Sequence, residues 1–262
     1  MKYSLVATTG RDVDALEPLF RVSRSDAELI IVDSEYSKKK LSGLRKLEHS
    51  FKRVVYAPPK APSVERKYDL VSGLNTAYAY AVGDIFIRVD DWMELAPDFF
   101  ERLDETVSVF KSLFGENFVI RNYDVTVKWK GDFTDNPVRY HTVPARLLPH
   151  ASSAGLFICH KSVVYDLNGL DERYDDGTGW NDNDLVWKVF AAGKYFFIVD
   201  VRLMAYRHPH VAVAPWDRII NKRLLMSLIN SESVFGKYKC NDSFSLADLH
   251  KEFSGNRKRF LL

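Results

Sequence analysis

The stretch Ile85-Phe86-Ile87-Arg88-Val89-Asp90-Asp91-Trp92 is a mostly apolar run that ends at two carboxylates. Such a run of strand-forming residues is typical of a buried β-strand. In an open parallel sheet, ligands bind just beyond the carboxyl ends of the strands. Similar short runs precede it at residues 3–8, 29–32 and 54–56. We therefore interpret residues 85–89 as the fourth strand of a sheet, and Asp90 and Asp91 as candidate ligand-binding residues.

The segments between and after these strands carry apolar residues at helical spacing. Apolar positions three or four residues apart predict a helix that begins after Ser63 and ends before Gly83. Its apolar face consists of Leu70, Leu74, Ala77 and Ala81. Comparable patterns predict helices at 12–20, 99–110, 184–192, 216–229 and 245–253, further strands at 118–127, 156–159 and 195–201, and a long loop at 131–149.

Strands that alternate with helices predict an α/β fold with a mixed, mostly parallel sheet flanked by helices. No linker-like segment divides the chain. We expect one α/β domain over residues 1–215 and a C-terminal helical extension over residues 216–262 that packs on the same domain.

The composition excludes several classes of protein. The 262 residues include 37 basic and 35 acidic side chains, a net charge of +2, whereas a protein that coats polynucleotide usually has a larger basic excess. Two cysteines cannot build a disulfide framework or a cysteine zinc cluster. No apolar run reaches the roughly 18 residues of a membrane span. Arg11 and Asp12 follow too early for a signal peptide, so we expect a cytoplasmic protein.

Polar side chains follow the predicted strands at the edge where ligands bind. Carboxylates, hydroxyls and a histidine that converge on one edge suit a metal-bound phosphate ligand. A single aspartate after a strand is more often a turn or a helix cap, so the prediction depends on the whole set. The set consists of Thr8, Thr9, Gly10 and Arg11 after the first strand, Asp33, Ser34 and Glu35 after the second, Asp90 and Asp91 after the fourth, and His208, Pro209 and His210 after the strand at 195–201.

Over residues 3–208 the chain resembles the family 2-type glycosyltransferases of GT-A fold. The segments 168–174 and 179–185 resemble the family's GGFDE and GGEDxDL patterns. The segments that carry the resemblance, in the family's order, are 6–11 (VATTGR), 30–34 (IIVDS), 73–77 (GLNTA), 81–87 (AVGDIFI), 90–99 (DDWMELAPDF), 168–174 (NGLDERY) and 179–185 (GWNDNDL).

The resemblance implies an inverting hexosyltransferase that uses a nucleotide-sugar donor, with UDP as the expected nucleotide. It implies that Asp182 is the catalytic base, and that a divalent cation, Mn²⁺ or Mg²⁺, is the cofactor. The implied metal ligands are Asp91 and His208, and the implied acceptor-binding residues are Trp180 and Asn181. The implied donor-binding residues are Thr8, Thr9, Gly10, Arg11, Asp33, Lys67, Asn75 and Asp90.

Some positions depart from the family pattern. Trp92 occupies the second carboxylate position of the usual Asp-x-Asp metal motif, so either Asp91 supplies the ligand through a turn or metal binding is weakened or lost. Asn181 replaces the usual glutamate before the base. These changes bear on donor choice and metal dependence more than on the fold.

Two other functions remain open at this point. A non-catalytic nucleotide-sugar-binding module is favoured by Trp92, and a sugar-phosphate nucleotidyltransferase would match only Gly10 and Pro18 of its opening pattern. The acceptor is open among glycan, lipid, protein and modified base.

Purely structural roles are the alternative for some of these residues. Asp182 can simply cap the following helix, and residues 175–176 are expected to form a solvated acidic turn. The tail 257–262 suits either solvated charge or a weak peripheral contact with a membrane surface.

Overall fold

The computed structural model describes residues 2–10, 16, 22–60, 67–91, 93–122, 140–142, 156–177, 179–199, 205–207, 215–230, 240–256 and 260–261. Within these ranges one eight-stranded sheet has the order β3-β2-β1-β4-β8-β6-β9-β7, and β5 pairs with β10 in a second, small sheet. The strands are β1 Tyr3–Thr9, β2 Arg24–Asp33, β3 Phe51–Ala57, β4 Ile85–Val89, β5 Met93–Leu95, β6 Phe118–Asn122, β7 Tyr140–Thr142, β8 Leu156–His160, β9 Tyr195–Val199 and β10 Ala205–Arg207.

Six strands of the large sheet run in one direction, and β7 and β8 run in the other. β1 is parallel to both β2 and β4, and β8 is antiparallel to β4 and β6. The mixed, mostly parallel sheet expected from the sequence is therefore confirmed. Parallel pairing brings the carboxyl ends of β1, β2 and β4 to the same edge of the sheet.

Helices cover both faces of the sheet. In β4, Ile85 and Ile87 point into the core on the side of α3, whereas Phe86 points into the core on the side of α2 and α5, as the two-residue period of a strand requires. The helices are α1 Lys38–Leu44, α2 Leu70–Tyr80, α3 Phe99–Phe114, α4 Lys161–Asp166, α5 Asn181–Ala191, α6 Pro215–Asn230 and α7 Leu246–Asn256, with 3₁₀ turns at Arg45–His49 and Glu172–Asp176.

The predicted helix positions are confirmed for α3, α6 and α7. In α3, the predicted apolar face is buried through Leu103, Val107 and Phe110. None of the helices in the described part of the chain combines the length and the apolar surface that a bilayer crossing needs. The helix expected at 12–20 lies outside the described residues, apart from the buried Leu16.

The start of α2 differs from the prediction because a remote side chain decides it. α2 begins at Leu70, and residues 67–69 before it are not helical, so the expected start after Ser63 is wrong. Asp175 accepts hydrogen bonds from the amides of Val71 and Ser72 at 2.7 and 2.8 Å, which satisfies two of the free N–H groups of the first turn. Asp175 is buried rather than solvated, so the expected solvated acidic turn is also wrong at this residue.

The loop predicted at 131–149 contains a strand. Residues Tyr140–Thr142 form β7 and pair with β9 in antiparallel register, from Tyr140 opposite Val199 to Thr142 opposite Phe197. This pairing uses backbone hydrogen bonds to a strand that lies far along the chain. The polar local sequence gives no sign of it.

The C-terminal helix α7 packs on α2. The rings of Tyr80 and Phe253 stack with centroids 4.6 Å apart, and Leu261 forms a bridge with Val55 on the outer strand β3. The division of the chain at residue 215 stays a prediction.

A buried ion-pair network holds α5 against the 3₁₀ turn Glu172–Asp176. The ammonium group of Lys188 donates to Asp184 at 2.6 Å and to Asp171 at 3.0 Å, and all three side chains are at most 6% exposed. Asp171 also accepts the amide of Arg173, so it begins the turn as its N-cap. The network therefore determines where the first turn of α5 lies.

Replacement of Lys188 by methionine should lower the free energy of unfolding by about 3–5 kcal/mol, because it leaves buried carboxylates without their shared cation. Urea denaturation measures this loss. Lys251→Met is the control, because it removes a cation from an exposed pair with Asp248, which should leave stability nearly unchanged. Equal stability of the two variants would contradict the role given to the network.

Candidate active site

A cavity of about 160 Å³, lined by both polar and apolar residues, opens at the carboxyl ends of β1 and β2. Its described walls include backbone and side-chain groups from both strands and from the turn after β4. The lining residues are Thr8, Thr9, Gly10, Val32, Ser34, Pro59, Tyr68, Asp69, Leu70 and Asp91. This position is the one at which open α/β sheets bind ligands.

The cavity wall is closely packed at the end of β1. A Cβ atom on Gly10 would lie 2.8 Å from the hydroxyl oxygen of Ser34, so glycine is required unless Ser34 moves. The hydroxyl of Thr9 donates to Asp91 at 2.9 Å. This hydrogen bond joins the end of β1 to the turn that follows β4.

A buried arginine connects two of the predicted carboxylates. Arg88 donates through Nη1 to Oδ1 of Asp182 at 2.5 Å and through Nη2 to Oδ1 of Asp90 at 3.3 Å. The Arg88 side chain is 5% exposed, whereas Asp90 and Asp182 are each 23% exposed. The guanidinium group therefore lies beneath two partly accessible carboxylates, one after β4 and one on α5.

The charges in this group influence one another. Burial, together with the negative charges of Asp182 and Asp91, raises the pKa of Asp90 to about 6, although the Arg88 cation opposes the shift. Burial disfavours the charge of Arg88, but Asp182 and Asp90 more than compensate and raise its pKa above the ordinary value. Arg88 is therefore a permanent cation at the edge of the sheet.

Asp182 lies inside the first turn of α5 and is not its cap. The N-cap residue is Trp180, which makes no side-chain capping hydrogen bond, and the helix begins at Asn181. The interpretation of Asp182 as a simple cap is therefore wrong. The amides of a first helical turn stabilise a nearby carboxylate. Within the described residues, Oδ2 of Asp182 accepts no hydrogen bond, since both described donors contact Oδ1.

The predicted acceptor-binding residues flank Asp182. Trp180 has a left-handed backbone with φ of 65°, which is uncommon for a bulky residue. Asn221 on α6 supports this turn by donating to the carbonyls of Tyr174 and Gly179. The Trp180 ring lies 5.8 Å from the ammonium group of Lys222. Asn181 is buried, and its side-chain nitrogen Nδ2 lies 3.4 Å from Oδ1 of Asp182.

The predicted donor-binding residues fall into two groups. Four of the predicted site residues line the cavity: Thr8, Thr9, Gly10 and Asp91. Lys67 is exposed near that wall, with its ammonium group 5.4 Å from the ring of Tyr68. Arg11 and His208 lie outside the described residues, as does Trp92.

Asp33 and Asn75 are buried and have partners within the protein. Asp33 accepts hydrogen bonds from the hydroxyl of Tyr56 at 2.6 Å, from Lys40 at 3.0 Å and from the amide of Glu35 at 2.8 Å. Direct contact with a ligand would require a change in these bonds.

Asn75 bonds both the amide and the carbonyl of Leu170, and donates to Glu172. It holds the segment before α5 against α2.

Arg88 was not among the site residues predicted from the sequence. The available signal was a single arginine within an apolar strand, two residues before Asp90 and therefore on the same side of the strand. A cation in a buried strand needs partners, and its partners are the two carboxylates.

The candidate metal ligands in this site fit one divalent cation that is bound largely through the phosphates of a substrate. No group of three histidine, cysteine, aspartate or glutamate side chains that could hold a metal occurs among the described residues. Mg²⁺ commonly binds through one or two carboxylates together with substrate phosphates. Asp91, on a turn at the cavity wall, suits that role, whereas Asp90 faces the Arg88 cation.

The chain matches no protein-family model and no curated protein sequence. Its fold is similar to that of solved structures. A crystal structure of S. aureus TarS aligns with a TM-score of 0.63 at 14% identity, over 91% of this chain and 41% of that chain. This chain thus spans less than half of the length of that TarS chain. TarS 1-349 in complex with UDP-GlcNAc aligns with a TM-score of 0.62 at 14% identity, over 91% and 71% of the two chains.

A third similar structure is the mannosyltransferase PcManGT from Pyrobaculum calidifontis in complex with GDP-Man and Mn²⁺. It aligns with a TM-score of 0.57 at 14% identity, over 96% of this chain and 69% of that chain. At such identities the likeness shows the fold. The α/β fold of this chain is that of the GT-A glycosyltransferases, as expected from the sequence.

Proposed function

We propose that this protein transfers a sugar from a nucleotide-diphosphate donor to a hydroxyl group of an acceptor, with inversion at the anomeric carbon. One observation carries the proposal. The Asp182 carboxylate shares the Arg88 guanidinium with Asp90, at the sheet edge where the cavity lined by Thr9 and Asp91 opens. A candidate base is therefore joined through Arg88 and Asp90 to the turn whose Asp91 lines the cavity, in a fold whose solved examples include proteins with UDP-GlcNAc or GDP-Man bound.

Asp182 acts as the general base in this proposal. Its Oδ1 is held by Arg88 and its Oδ2 takes the proton of the acceptor hydroxyl, whose oxygen then attacks the anomeric carbon. The bond from that carbon to the diphosphate oxygen breaks, and the electron pair leaves with the nucleoside diphosphate. A single displacement of this kind inverts the configuration, because the base and the leaving group lie on opposite faces of the sugar.

The leaving diphosphate is stabilised at the cavity. Asp91 would hold a divalent cation together with the diphosphate, and the cation would supply positive charge where negative charge grows. The Thr9 hydroxyl orients Asp91 through its hydrogen bond at 2.9 Å. Gly10 leaves room for phosphate oxygens to approach the backbone closely.

The proposed donor is a UDP-sugar. The resemblance to family 2-type enzymes supports it, together with the likeness to TarS in complex with UDP-GlcNAc and with UDP. The likeness to PcManGT with GDP-Man makes GDP the other nucleotide to be tested.

Asp33 is the residue to test for nucleotide choice. If its carboxylate accepts a base N–H, Asp33→Ala should weaken UDP binding by about 1.5–3 kcal/mol in calorimetry, the range for a hydrogen bond to a charged group. Tyr56→Phe is the control, because it removes one internal partner of Asp33 but keeps the carboxylate. If Asp33→Ala lowers stability and leaves the affinity for every nucleotide unchanged, Asp33 is a structural residue only.

Transfer should stop when a chelator removes divalent cations, and addition of Mn²⁺ should restore it. Asp91→Asn should raise the Mn²⁺ concentration for half-maximal activity by about 10- to 100-fold, because a metal contact is weakened. Asp98→Asn is a control, since Asp98 is bound by Arg102 at the start of α3. Full activity in chelator would show that protein side chains alone neutralise the diphosphate.

Asp182→Asn tests the base and the proposed reaction together. The amide keeps the size of the side chain but cannot accept the proton, so the turnover number should fall about 100- to 10,000-fold while donor affinity changes little. Asp248→Asn is the matched control, because Asp248 lies in the first turn of α7 and is exposed.

The product of the wild-type reaction separates the candidate functions. Nucleoside diphosphate released only when an acceptor is present indicates a transferase, and NMR of the product should show an inverted anomeric centre. Pyrophosphate would indicate a nucleotidyltransferase. Donor binding without turnover for any acceptor would indicate a binding module. Wild-type turnover in Asp182→Asn would remove this residue as the base.

A further inference from the structure

Arg88 is a buried cation in a strand that is otherwise apolar. Its neighbours Ile87 and Val89 are at most 1% exposed, and the Arg88 side chain is 5% exposed. Replacement of a buried ion pair by apolar residues is often neutral or stabilising. The fold by itself therefore gives little reason for an arginine at this position of β4.

Arg88 contacts the proposed catalytic base and the neighbouring carboxylate Asp90. Nη1 contacts Asp182 and Nη2 contacts Asp90, while Nε has no hydrogen-bond partner among the described residues. Phe86 lies two residues earlier on the same face of the strand, and its ring stacks on Tyr78 with centroids 5.4 Å apart. The stacked rings occupy this side of the sheet and restrict the room into which the guanidinium group can move.

The geometry points to Arg88 as the positioning residue of the catalytic base, an inference that rests on the proposed function. By binding Oδ1, the guanidinium group fixes the rotation of the Asp182 carboxylate and leaves Oδ2 for the acceptor hydroxyl. By binding Asp90 as well, it sets the distance between the base on α5 and the end of β4.

A purely structural ion pair would behave differently from a positioning residue. Loss of a structural pair lowers stability and leaves the turnover number of the folded protein unchanged. Loss of a positioning residue lowers the turnover number at saturating substrate, because a base that is misplaced by about 1 Å can cost about 100-fold in rate. The proposed donor site is the cavity lined by Thr9 and Asp91, which neither Arg88 nor Asp182 lines, so donor affinity should change little.

The test uses Arg88→Met and Arg88→Lys in the full chain, with Arg53→Met as the matched control. Arg53 is a half-buried arginine in β3, with its side chain 14% exposed, and it pairs with Glu28 and donates to the carbonyl of Tyr80 near the amino ends of the parallel strands. We expect Arg88→Met to lower kcat about 100-fold with a donor dissociation constant within about threefold of wild type. Arg88→Lys should recover part of kcat, because it keeps the charge but loses the two-point geometry. Arg53→Met should keep the wild-type kcat.

A double variant decides whether Arg88 acts through Asp182. If it does, Arg88→Met combined with Asp182→Asn should be no slower than Asp182→Asn alone, because both changes disable one unit. Multiplicative losses would overturn the inference. A wild-type kcat in Arg88→Met, or failure of Arg88→Lys as well as Arg88→Met to fold, would also overturn it. A wild-type protein that transfers no sugar would instead refute the proposed function.

Discussion

The parallel pairing of β1 with β2 and with β4 determines where the residues that follow these strands lie. The register runs from Tyr3 opposite Ala27 to Thr9 opposite Asp33, and Val6 lies opposite Arg88. Because these strands share a direction, their carboxyl ends meet at one edge of the sheet. The residues that follow the strands are thereby collected from distant parts of the chain into one surface, where the cavity opens.

Buried polar contacts hold the segment before α5, and with it Asp182, next to that surface. The segment before α5 is held against α2 because Asp175 binds the amides of Val71 and Ser72, and Asn75 binds the backbone of Leu170. Buried polar groups need hydrogen-bond partners, so these contacts cannot slide without a free-energy cost. The Lys188 network then holds α5 on the same segment. This framework places the backbone of Asp182, and Arg88 binds its carboxylate.

The two adjacent aspartates after β4 have different surroundings. Asp90 contacts the buried guanidinium of Arg88, while Asp91 lies in the turn and accepts the hydroxyl of Thr9. Asp90 is thus paired with a protein cation, whereas Asp91 lines the cavity. A GT-A fold supports many reactions, so the chemistry has to be argued from such a site and not from the fold. Our proposals start from the Arg88 guanidinium, which joins Asp182 to Asp90.

Elements whose signals lie in neighbouring residues could be predicted from the sequence alone. The apolar runs of β1 and β4 and the apolar spacing of α3 appear in the structure where they were predicted, because burial of one face imposes a period on neighbouring residues. The order of strands and helices was enough to predict the mostly parallel sheet, and the likeness to a family pattern pointed to the segment around Asp182 as a candidate site.

Other features depend on partners that are distant in sequence, and these became visible only in the folded structure. The start of α2 is set by Asp175, and the strand β7 exists through its pairing with β9. Asp33, predicted as a ligand-binding residue, is buried with Tyr56 and Lys40 as partners. The link from Arg88 to Asp182 joins residues 94 positions apart. A sequence pattern reports what a residue and its neighbours prefer, whereas the partner of a buried charge is chosen only when the folded chain brings the two groups together.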